Sequence, residues 1–395
     1  MLIGLQLNFT MEPTECSLND TLNLTEDEAL LLLHNSTDKV VIPFILPTIL
    51  SLCILFNFIF LFVVFRVPEV RSDTTVYLIH LALADLLFMF GYVFLFLLSF
   101  IRSSVKAHTS YTHPVECWLI NGSYLTGYVS SIALITMMSF ERYLAICHPI
   151  KHLKIRGRRR TLKIVAFCWL IGFIWGVLLI PSVAILRRQC VRWPDDDSYQ
   201  MFPSVLTYCT LIDLWAYHYS QAILILPWLL SMFSNVYMYA RIIQVLNKRR
   251  GANGRTETDR KAVQIRNQAA KMLIVNGVVF FICQSPYIFV ILFFWICKVA
   301  QINNPVAVFL WNGGDWVYLL PQYINTILNP VIYGVTNRQY RAAFVQAFHM
   351  KASTNRQQNI LRPVHAISHT STTAAQPSTT EEGNNDTQSM KGTWL

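Results

Sequence analysis

The chain alternates between long apolar runs and short polar segments. Five runs contain no Asp, Glu, Lys or Arg: 40–65, 117–140, 164–186, 214–240 and 272–297. Two more, at 74–101 and 306–337, are interrupted only by Asp85 and by Asp315, respectively. A helix of about 20 apolar residues crosses the hydrocarbon core of a bilayer, so each run is long enough to span a membrane. The pattern predicts seven membrane spans.

Helices are the expected structure of all seven spans. A segment inside a bilayer must satisfy its backbone hydrogen bonds internally, and these uniformly apolar runs lack the alternation of a barrel strand. We therefore expect an all-α membrane protein with a seven-helix bundle over 40–335. After it, segment 336–349 places apolar side chains at i, i+4 and i+8, which predicts a short amphipathic helix on the membrane surface: Tyr340, Phe344 and Phe348.

The two ends of the chain differ from the bundle in composition. Residues 1–39 form an acidic tail, and residues 350–395 are rich in Ser, Thr, Gln and Asn with few large apolar side chains. Such a polar segment cannot bury enough apolar surface to fold, so we expect 350–395 to be disordered. Its Ser and Thr clusters at 368–373 and 378–380 are candidate phosphorylation sites.

Charge sets the orientation. Only 14% of the residues are charged, well below the quarter or so that is typical of soluble domains. The loops at 66–73, 148–163 and 241–271 carry 18 Lys and Arg, whereas those at 102–116, 187–213 and 298–305 carry 6. The positive-inside rule places the first set in the cytoplasm and the amino terminus outside. The positive charge of the cytoplasmic loops therefore faces anionic lipid of the plasma membrane, so the net charge of +10 does not indicate a nucleic-acid partner.

The outer face offers sites for two covalent modifications. The extracellular tail holds four N-x-[ST] sequons, so we expect glycosylation there: Asn8, Asn19, Asn23 and Asn35. Cys117 opens the third span, and Cys190 and Cys209 lie in the second outer loop. An oxidising space favours one disulfide from Cys117 to either of these two, and sequence alone allows both.

Polar side chains inside the spans are costly and indicate a functional site. Asp85 is the ionisable one in span two, and four uncharged polar residues lie at comparable depth in other spans: Asn57, Ser131, Asn325 and Asn329. Oxygen ligands of this kind suit a hard cation, so the set predicts a site for Na⁺ or for a water cluster near Asp85. No other cofactor is expected. A channel or transporter remains the structural rival, although the sequence shows no inverted repeat.

Six motifs, one per span from the second to the seventh, resemble those of rhodopsin-like G-protein-coupled receptors. They are Leu81-Ala-Leu-Ala-Asp85, Glu141-Arg142-Tyr143, Trp169, Pro227, Phe280-x-x-Cys283-x-x-Pro286 and Asn325-x-x-x-Asn329-Pro330-x-x-Tyr333. The likeness covers roughly residues 40–348. Within the family, the segments 140–149, 329–333 and 341–344 look most like neuropeptide receptors of the thyrotropin-releasing-hormone and neuromedin U group.

The resemblance implies a transmission mechanism. Agonist binding would move the inner end of span six outward and open a cleft for a heterotrimeric G protein, with receptor kinases and arrestin acting at the tail. Arg142 is a planar cation that a carboxylate such as Glu141 can hold, and Ile150 would be an apolar knob into the G protein. The full set of implied switch residues is Glu141, Arg142, Tyr143, Ile150, Phe280, Gln284, Pro286, Asn329, Pro330 and Tyr333.

Three departures from the family pattern affect this mechanism. Gln284 stands where the family usually has the Trp that couples pocket to kink. Asn235 replaces a common Tyr in span five, and Tyr340 replaces the usual Phe of the last helix. Gln284 leaves open an atypical receptor with weak G-protein coupling.

The outer half of the bundle holds an aromatic cleft with one carboxylate. Turn counting from the motifs puts eight residues on inward faces, as the candidate ligand site: Tyr124, Tyr128, Trp215, Tyr219, Tyr287, Asp315, Trp316 and Tyr323. Acidic side chains at the entrance attract a cationic ligand. We therefore expect a short cationic or amidated neuropeptide that pairs with Asp315. The alternative is a lipid or apolar small molecule that uses the same aromatic side chains.

Other classes have less support. Tyr124 stands where receptors for biogenic amines need an acid, and span seven has no Lys in its outer part for a retinal Schiff base. The sequence contains no HExxH, phosphate-loop or GxSxG motif, so an enzyme is not expected.

Overall fold

A short outer segment leads into the first membrane helix. The computed structural model describes residues 21–348, apart from positions 107, 251–256, 304 and 307–308. Strand β1 (Leu22–Asn23) precedes helices α1 (Glu26–Leu32) and α2 (Asp38–Val40), and a π-helical turn (Val41–Ile45) joins α2 to α3 (Leu46–Arg66). The predicted disordered tail at 350–395 lies outside the described residues.

Six further long helices follow α3. They are α4 (Asp73–Arg102), α5 (Pro114–Cys147), α7 (Arg158–Leu178), α8 (Leu214–Arg250), α9 (Glu257–Val299) and α10 (Asp315–Thr336), with the short helix α6 (Pro149–Ile155) between α5 and α7. Helix α11 (Arg338–Phe348) lies within the segment predicted as the surface helix. Its Tyr340 is buried against Phe60 of α3, whereas Phe344 and Phe348 are exposed. The predicted seven-helix bundle with an eighth amphipathic helix is confirmed.

The seventh membrane helix is more polar than the others. In the described part of the chain, six helices are long and apolar enough to cross a membrane by length and composition, and α10 is outside that set. It carries polar side chains that are buried inside the bundle: Asp315, Gln322, Asn325, Thr326 and Asn329. Because α10 packs against α3, α4 and α9, its composition is that of an interior helix.

A π-helical turn (Leu310–Gly314) precedes α10 and supports the outer segment. Gly313 has a φ of +96°, which is a conformation that favours glycine. A Cβ atom at Gly313 would lie only 2.6 Å from the Cβ of Thr37. The segment between α1 and α2 therefore packs directly against this turn. Any larger residue at Gly313 would force the two apart.

Helix α5 is central, and its contact with α4 positions the intramembrane carboxylate. It packs against α4, α7 and α8. A Cβ atom at Gly127 would come within 2.8 Å of both the Ala84 carbonyl oxygen and the Phe88 nitrogen. Only glycine allows this approach, which brings Asp85 of α4 next to Ser131, one turn after Gly127.

The second outer loop forms a β-hairpin, which the all-α prediction did not include. Strand β2 (Ile185–Arg192) pairs antiparallel with β3 (Val205–Thr210), and β1 adds to β2 in parallel. A disulfide joins Cys209 of β3 to Cys117 at the outer end of α5. The structure thus selects Cys209 over Cys190 as the partner of Cys117, and the hairpin is fixed above the bundle.

Candidate ligand-binding and signalling sites

Four of the predicted ligand residues share one cleft in the outer half of the bundle. They are Tyr124, Tyr128, Tyr287 and Tyr323. The other residues that line this central cleft are Phe88, Tyr92, Leu224 and Gln322. The Tyr92 ring lies 5.2 Å from the Tyr124 ring and 5.4 Å from the Tyr323 ring. The cleft has a volume of about 10 Å³, enough for about one water molecule. A ligand that enters here must part these rings.

The structure separates three other predicted ligand residues from the central cleft. Trp215 lies in the first turn of α8, where it is 51% exposed and contacts the Tyr219 ring at 5.7 Å. The opposite face of these turns buries Ala216, Tyr217 and Ser220, so Trp215 faces away from the bundle interior and Tyr219 lies half-buried beside it. The inward placement of Trp215 by turn counting is therefore corrected. Trp316 is buried, but it contacts Phe96 and donates a hydrogen bond to Asp38.

Asp315 and Trp316 belong to a cluster that the sequence did not predict. We call it the outer ion cluster and define it as His34, Asp38, Lys106, Asp315 and Trp316. The Lys106 ammonium lies 3.2 Å from Oδ2 of Asp38 and 3.7 Å from Oδ2 of Asp315. Nε1 of Trp316 donates to Oδ1 of Asp38 at 2.8 Å, and Nδ1 of His34 lies 3.8 Å from Oδ2. The outer segment is thereby tied to α10 and to the first outer loop.

Within this cluster, the two carboxylates are unequally satisfied. Asp38 is fully buried and also receives its ion pair and hydrogen bond at the shorter distances. Oδ1 of Asp315 is buried and has no hydrogen-bond partner among the described residues. Two carboxylates therefore share one ammonium group, and Asp315 retains an oxygen that can accept a bond from a further cation.

The predicted polar site around Asp85 is assembled from three helices. Ser131 of α5 donates to Oδ1 of Asp85 at 3.1 Å, and Nδ2 of Asn329 of α10 donates to Oδ2 at 2.6 Å. Asn57 of α3 donates instead to the Thr326 carbonyl at 3.1 Å and so joins α3 to α10. The side-chain amide oxygens of Asn325 and Asn329 are buried and have no hydrogen-bond partner among the described residues. The site thus offers a carboxylate and unpaired oxygens, which are donors that suit a hard cation.

At the cytoplasmic end of α5, Arg142 and Glu141 have different partners from those expected. Arg142 donates to the hydroxyl of Thr74 in α4. The Glu141 carboxylate pairs with Arg160 at 2.7 Å and lies 3.7 Å from His152. The described ion pairs include none between Glu141 and Arg142, because the basic loop supplies closer cations to Glu141. Arg142 is therefore held by a neutral hydroxyl.

The comparisons with known proteins agree with this architecture. Residues 56–333 match the family model described as 7 transmembrane receptor (rhodopsin family). The chain belongs to this family. Among its relatives are neuromedin-U receptor 2 of Mus musculus, 28% identical over 73% of this chain and 70% of the relative, and of Homo sapiens, 28% identical over 74% and 68%. Somatostatin receptor type 2 of Sus scrofa is 24% identical over 79% of this chain and 78% of the relative.

Family membership establishes several of the sequence predictions. The protein is a multi-pass plasma-membrane receptor with an extracellular amino terminus, related to neuropeptide receptors, and it is not an enzyme. The other switch residues of this rhodopsin-family receptor lie where the motifs place them. Phe280 and Gln284 are buried in α9, Pro286 lies within α9, and Pro330 and the buried Tyr333 lie in α10. Tyr143 is hydrogen-bonded to His148 at 3.2 Å, and Ile150 is 73% exposed on α6.

A polar contact between α5, α8 and α9 was missed in the sequence. The Tyr239 hydroxyl forms a 2.8 Å hydrogen bond with Ser139. A Cβ atom at Gly277 of α9 would lie only 1.9 Å from this hydroxyl oxygen, so the two could not coexist. One turn earlier, Asn235 donates to Thr136 of α5 at 3.2 Å. The departure at Asn235 is therefore a second link between α8 and α5, and Tyr239 fills the notch that Gly277 leaves.

The predicted glycosylation sites fall into two groups. Asn8 and Asn19 lie outside the described residues. Asn23 is the exposed last residue of β1, and a glycosylation acceptor must be exposed. Asn35 is half-buried, and its side-chain oxygen accepts a bond from the Asp38 nitrogen at 2.8 Å. Glycosylation stays a prediction, and Asn23 is the better placed of the two described sequons.

Proposed function

We propose that this receptor responds to a short peptide with a positively charged group and passes agonist binding to a heterotrimeric G protein of the calcium-mobilising type. Two groups of relatives support a peptide ligand, because they are named as receptors for neuromedin U and for somatostatin. The observation that carries the proposal is the free oxygen of Asp315 in the outer ion cluster.

Charge favours a cation at this point. Asp38 and Asp315 lie on either side of a single ammonium, that of Lys106. A guanidinium or amine from a ligand would supply the second positive charge and form a charge-assisted hydrogen bond with Asp315. Asp315 is the first residue of α10, about two turns before Gln322 and Tyr323 of the central cleft. The rest of a short peptide would therefore reach the tyrosine rings of the cleft.

Entry of the ligand into the central cleft would couple to α9. Tyr287 lines the cleft next to Pro286, which lies inside α9, and Gln284 lies buried about one turn closer to the inner end. Parting the rings would shift the equilibrium between two packings of α9 and move its inner end outward. Agonist and G protein would then strengthen each other's binding reciprocally. The exposed Ile150 on α6 would contact the G protein, and receptor kinases and arrestin would act at the tail.

The test is a calcium response in cells that express the full chain, challenged with a panel of short basic and amidated peptides. We expect Asp315→Asn to shift the half-maximal concentration of an active peptide upward by about tenfold to a hundredfold, the loss of one charge-assisted bond. Asp195→Asn, an exposed acid of the outer hairpin, is the matched control and should leave potency unchanged. Arg142→Ala should abolish the response.

Each contrary result has a meaning. Equal potency of Asp315→Asn and wild type would refute the pairing and favour the lipid or apolar ligand, which needs only the aromatic rings. Silence towards every peptide, at confirmed surface expression, would favour the atypical receptor that Gln284 leaves open. Nucleotide exchange on purified G protein would then separate weak coupling from a missing ligand.

We further propose that Na⁺ binds at Asp85 in the inactive receptor. The buried, unpaired oxygens of Asn325 and Asn329 support this, since an amide oxygen left without a donor is stabilised by a cation. Ser131 and the Asp85 carboxylate would complete the oxygen set. The sodium ion would neutralise the carboxylate and hold α4, α5 and α10 together.

A further inference from the structure

A cavity of about 350 Å³ opens on the membrane side of α4 and α5, apart from the central cleft. Its apolar wall includes Phe90, Phe94, Leu98 and Leu119. Phe90 and Leu119 are 58% and 67% exposed, and both lie in membrane-spanning helices, so this wall faces hydrocarbon. The volume is within the range of about 300–1,000 Å³ that is typical of sites for small molecules.

A glycine, Gly91, forms part of the floor of this cavity. Gly91 of α4 faces Ser123 of α5, and a Cβ atom at Gly91 would lie 3.1 Å from the Ser123 hydroxyl oxygen. That hydroxyl donates to the Ile120 carbonyl at 2.9 Å, so its hydrogen is already used within α5. The floor therefore suits an apolar chain, and any larger residue at Gly91 would fill part of the space.

The outer mouth of the cavity is polar and carries both signs of charge. Arg102, the last residue of α4, is exposed, and its guanidinium has no ion-pair or hydrogen-bond partner among the described residues. Opposite it, the Glu116 carboxylate accepts bonds from the Thr112 and His113 nitrogens, which fix its position. Burial and the Glu116 charge raise the pKa of Tyr111 to about 12, so its hydroxyl stays protonated and can donate.

We propose that this cavity binds a zwitterionic choline phospholipid of the outer leaflet. The phosphate would pair with Arg102 and accept from the Tyr111 hydroxyl, and the quaternary ammonium would lie between Glu116 and the face of the Tyr111 ring. An acyl chain would cover Phe90, Phe94 and Leu98. The mouth lies at the outer end of α4, the depth of outer-leaflet headgroups.

The charges at the mouth favour a zwitterionic phospholipid over a sterol and over an anionic phospholipid. A sterol brings one hydroxyl, which would give neither Arg102 nor Glu116 an ionic partner from the lipid. An anionic phospholipid would satisfy Arg102 but place no positive group near Glu116. A choline headgroup matches both charges.

Photolabelling tests the proposal. The full-length receptor is reconstituted in nanodiscs of phosphatidylglycerol with a small fraction of phosphatidylcholine that carries a photoreactive group on its acyl chain. After illumination, mass spectrometry maps the labelled peptides. We expect labelling of 90–102 and 114–123 to exceed that of the lipid-exposed face of α7, which carries Phe167, Leu170 and Phe173. Unlabelled phosphatidylcholine should compete at the cavity, whereas added phosphatidylglycerol and cholesterol should not.

Two variants sharpen the result. Arg102→Gln should reduce cavity labelling by about tenfold, as expected for one charge-assisted hydrogen bond. Lys298→Gln, which removes an exposed cation at the outer end of α9, is the matched control and should change nothing. The proposal is refuted if the cavity is labelled no more than α7, if cholesterol or phosphatidylglycerol competes equally, or if Arg102→Gln labels like wild type. If Arg102→Gln fails to fold, the competition on the wild-type receptor decides alone.

Discussion

Single polar side chains connect the helices of this receptor at three depths. Asp315 meets Lys106 at the outer end, Asp85 meets Ser131 and Asn329 in the middle, and Arg142 meets Thr74 at the cytoplasmic end. Each contact joins different helices or loops, and a buried polar contact of this kind is expensive to break. Changes at these residues should therefore be measurable even without a known ligand.

The sodium site gives the first such measurement. We predict that the purified receptor melts at a temperature about 3 °C higher in NaCl than in choline chloride of equal ionic strength, because a cation that binds only the folded state stabilises it. Asp85→Asn keeps the size of the side chain and removes its charge, so both salts should then give one melting temperature. Asp195→Asn should retain the difference. Equal wild-type melting in both salts would contradict the sodium proposal.

At the residue scale, depth within a span could be predicted from sequence, whereas loop contacts could not. Asp85, Ser131 and Asn329 meet because helical geometry fixes their height and face, which can be counted from the motifs. Asp38 and Lys106 lie at or beyond the ends of the spans. Neither position follows a periodic pattern, so the sequence could not predict that these two side chains would cluster with Asp315.

At the scale of elements, one contact of the outer hairpin requires a neutral histidine. The Thr207 nitrogen donates to Nδ1 of His108 at 3.1 Å, which ties β3 to the first outer loop. Burial lowers the pKa of His108 below its usual value, since desolvation disfavours the charged imidazolium. A protonated ring has no acceptor at Nδ1. The folded hairpin therefore prefers the neutral form, and acid should weaken this contact.

The sign of the pH effect follows by linkage. The stabilisation from His108 is complete above its unfolded pKa of about 6.5 and is lost as the pH falls through the lower folded pKa. We predict roughly tenfold lower hydrogen-exchange protection of residues 205–210 near pH 5 than near pH 7, after correction for intrinsic exchange. His108→Gln retains an acceptor without titrating, so its protection should be the same at both values. Wild-type protection that is independent of pH would refute the assignment.

The elements themselves were predicted to different degrees. The long helices follow from apolar runs, since a bilayer leaves few alternatives for such segments. The β2–β3 hairpin was missed because its strands are held by the Cys117–Cys209 disulfide and by β1, which are distant in sequence. The polar α10 was recognised from its motif, and its low hydropathy reflects burial of Asn325 and Asn329 inside the bundle.

At the scale of the whole molecule, the outer segment closes the extracellular end of the bundle. Its backbone pairs with the first outer loop through Leu33 and Val105, and with the hairpin through β1. Asp38 then joins it to Lys106 and Trp316. Three separate parts of the chain thus hold the segment at the outer end of the bundle, and a ligand that approaches from this side must displace it or pass beside it.

Removing the central carboxylate should loosen this closure. We predict that Asp38→Ala lowers the local unfolding free energy of residues 24–37 by roughly 2 kcal/mol, less than for an isolated buried pair because Asp315 can still hold Lys106. Hydrogen exchange of this segment is the measurement. Asp27→Ala, an exposed acid in the first turn of α1, is the control and should leave exchange unchanged. Equal protection in Asp38→Ala and wild type would show that the backbone pairing alone retains the segment.

The disulfide between Cys117 and Cys209 also constrains how the receptor is made. Its two cysteines are 92 residues apart, and the chain between them crosses the membrane twice, through α5 and α7. Both thiols reach the oxidising lumen only after these two helices have been inserted in opposite directions. During synthesis, the bond therefore cannot form on a chain that has α5 or α7 inverted or skipped. Its presence in newly made receptor should mark the molecules in which α5 and α7 have the correct topology.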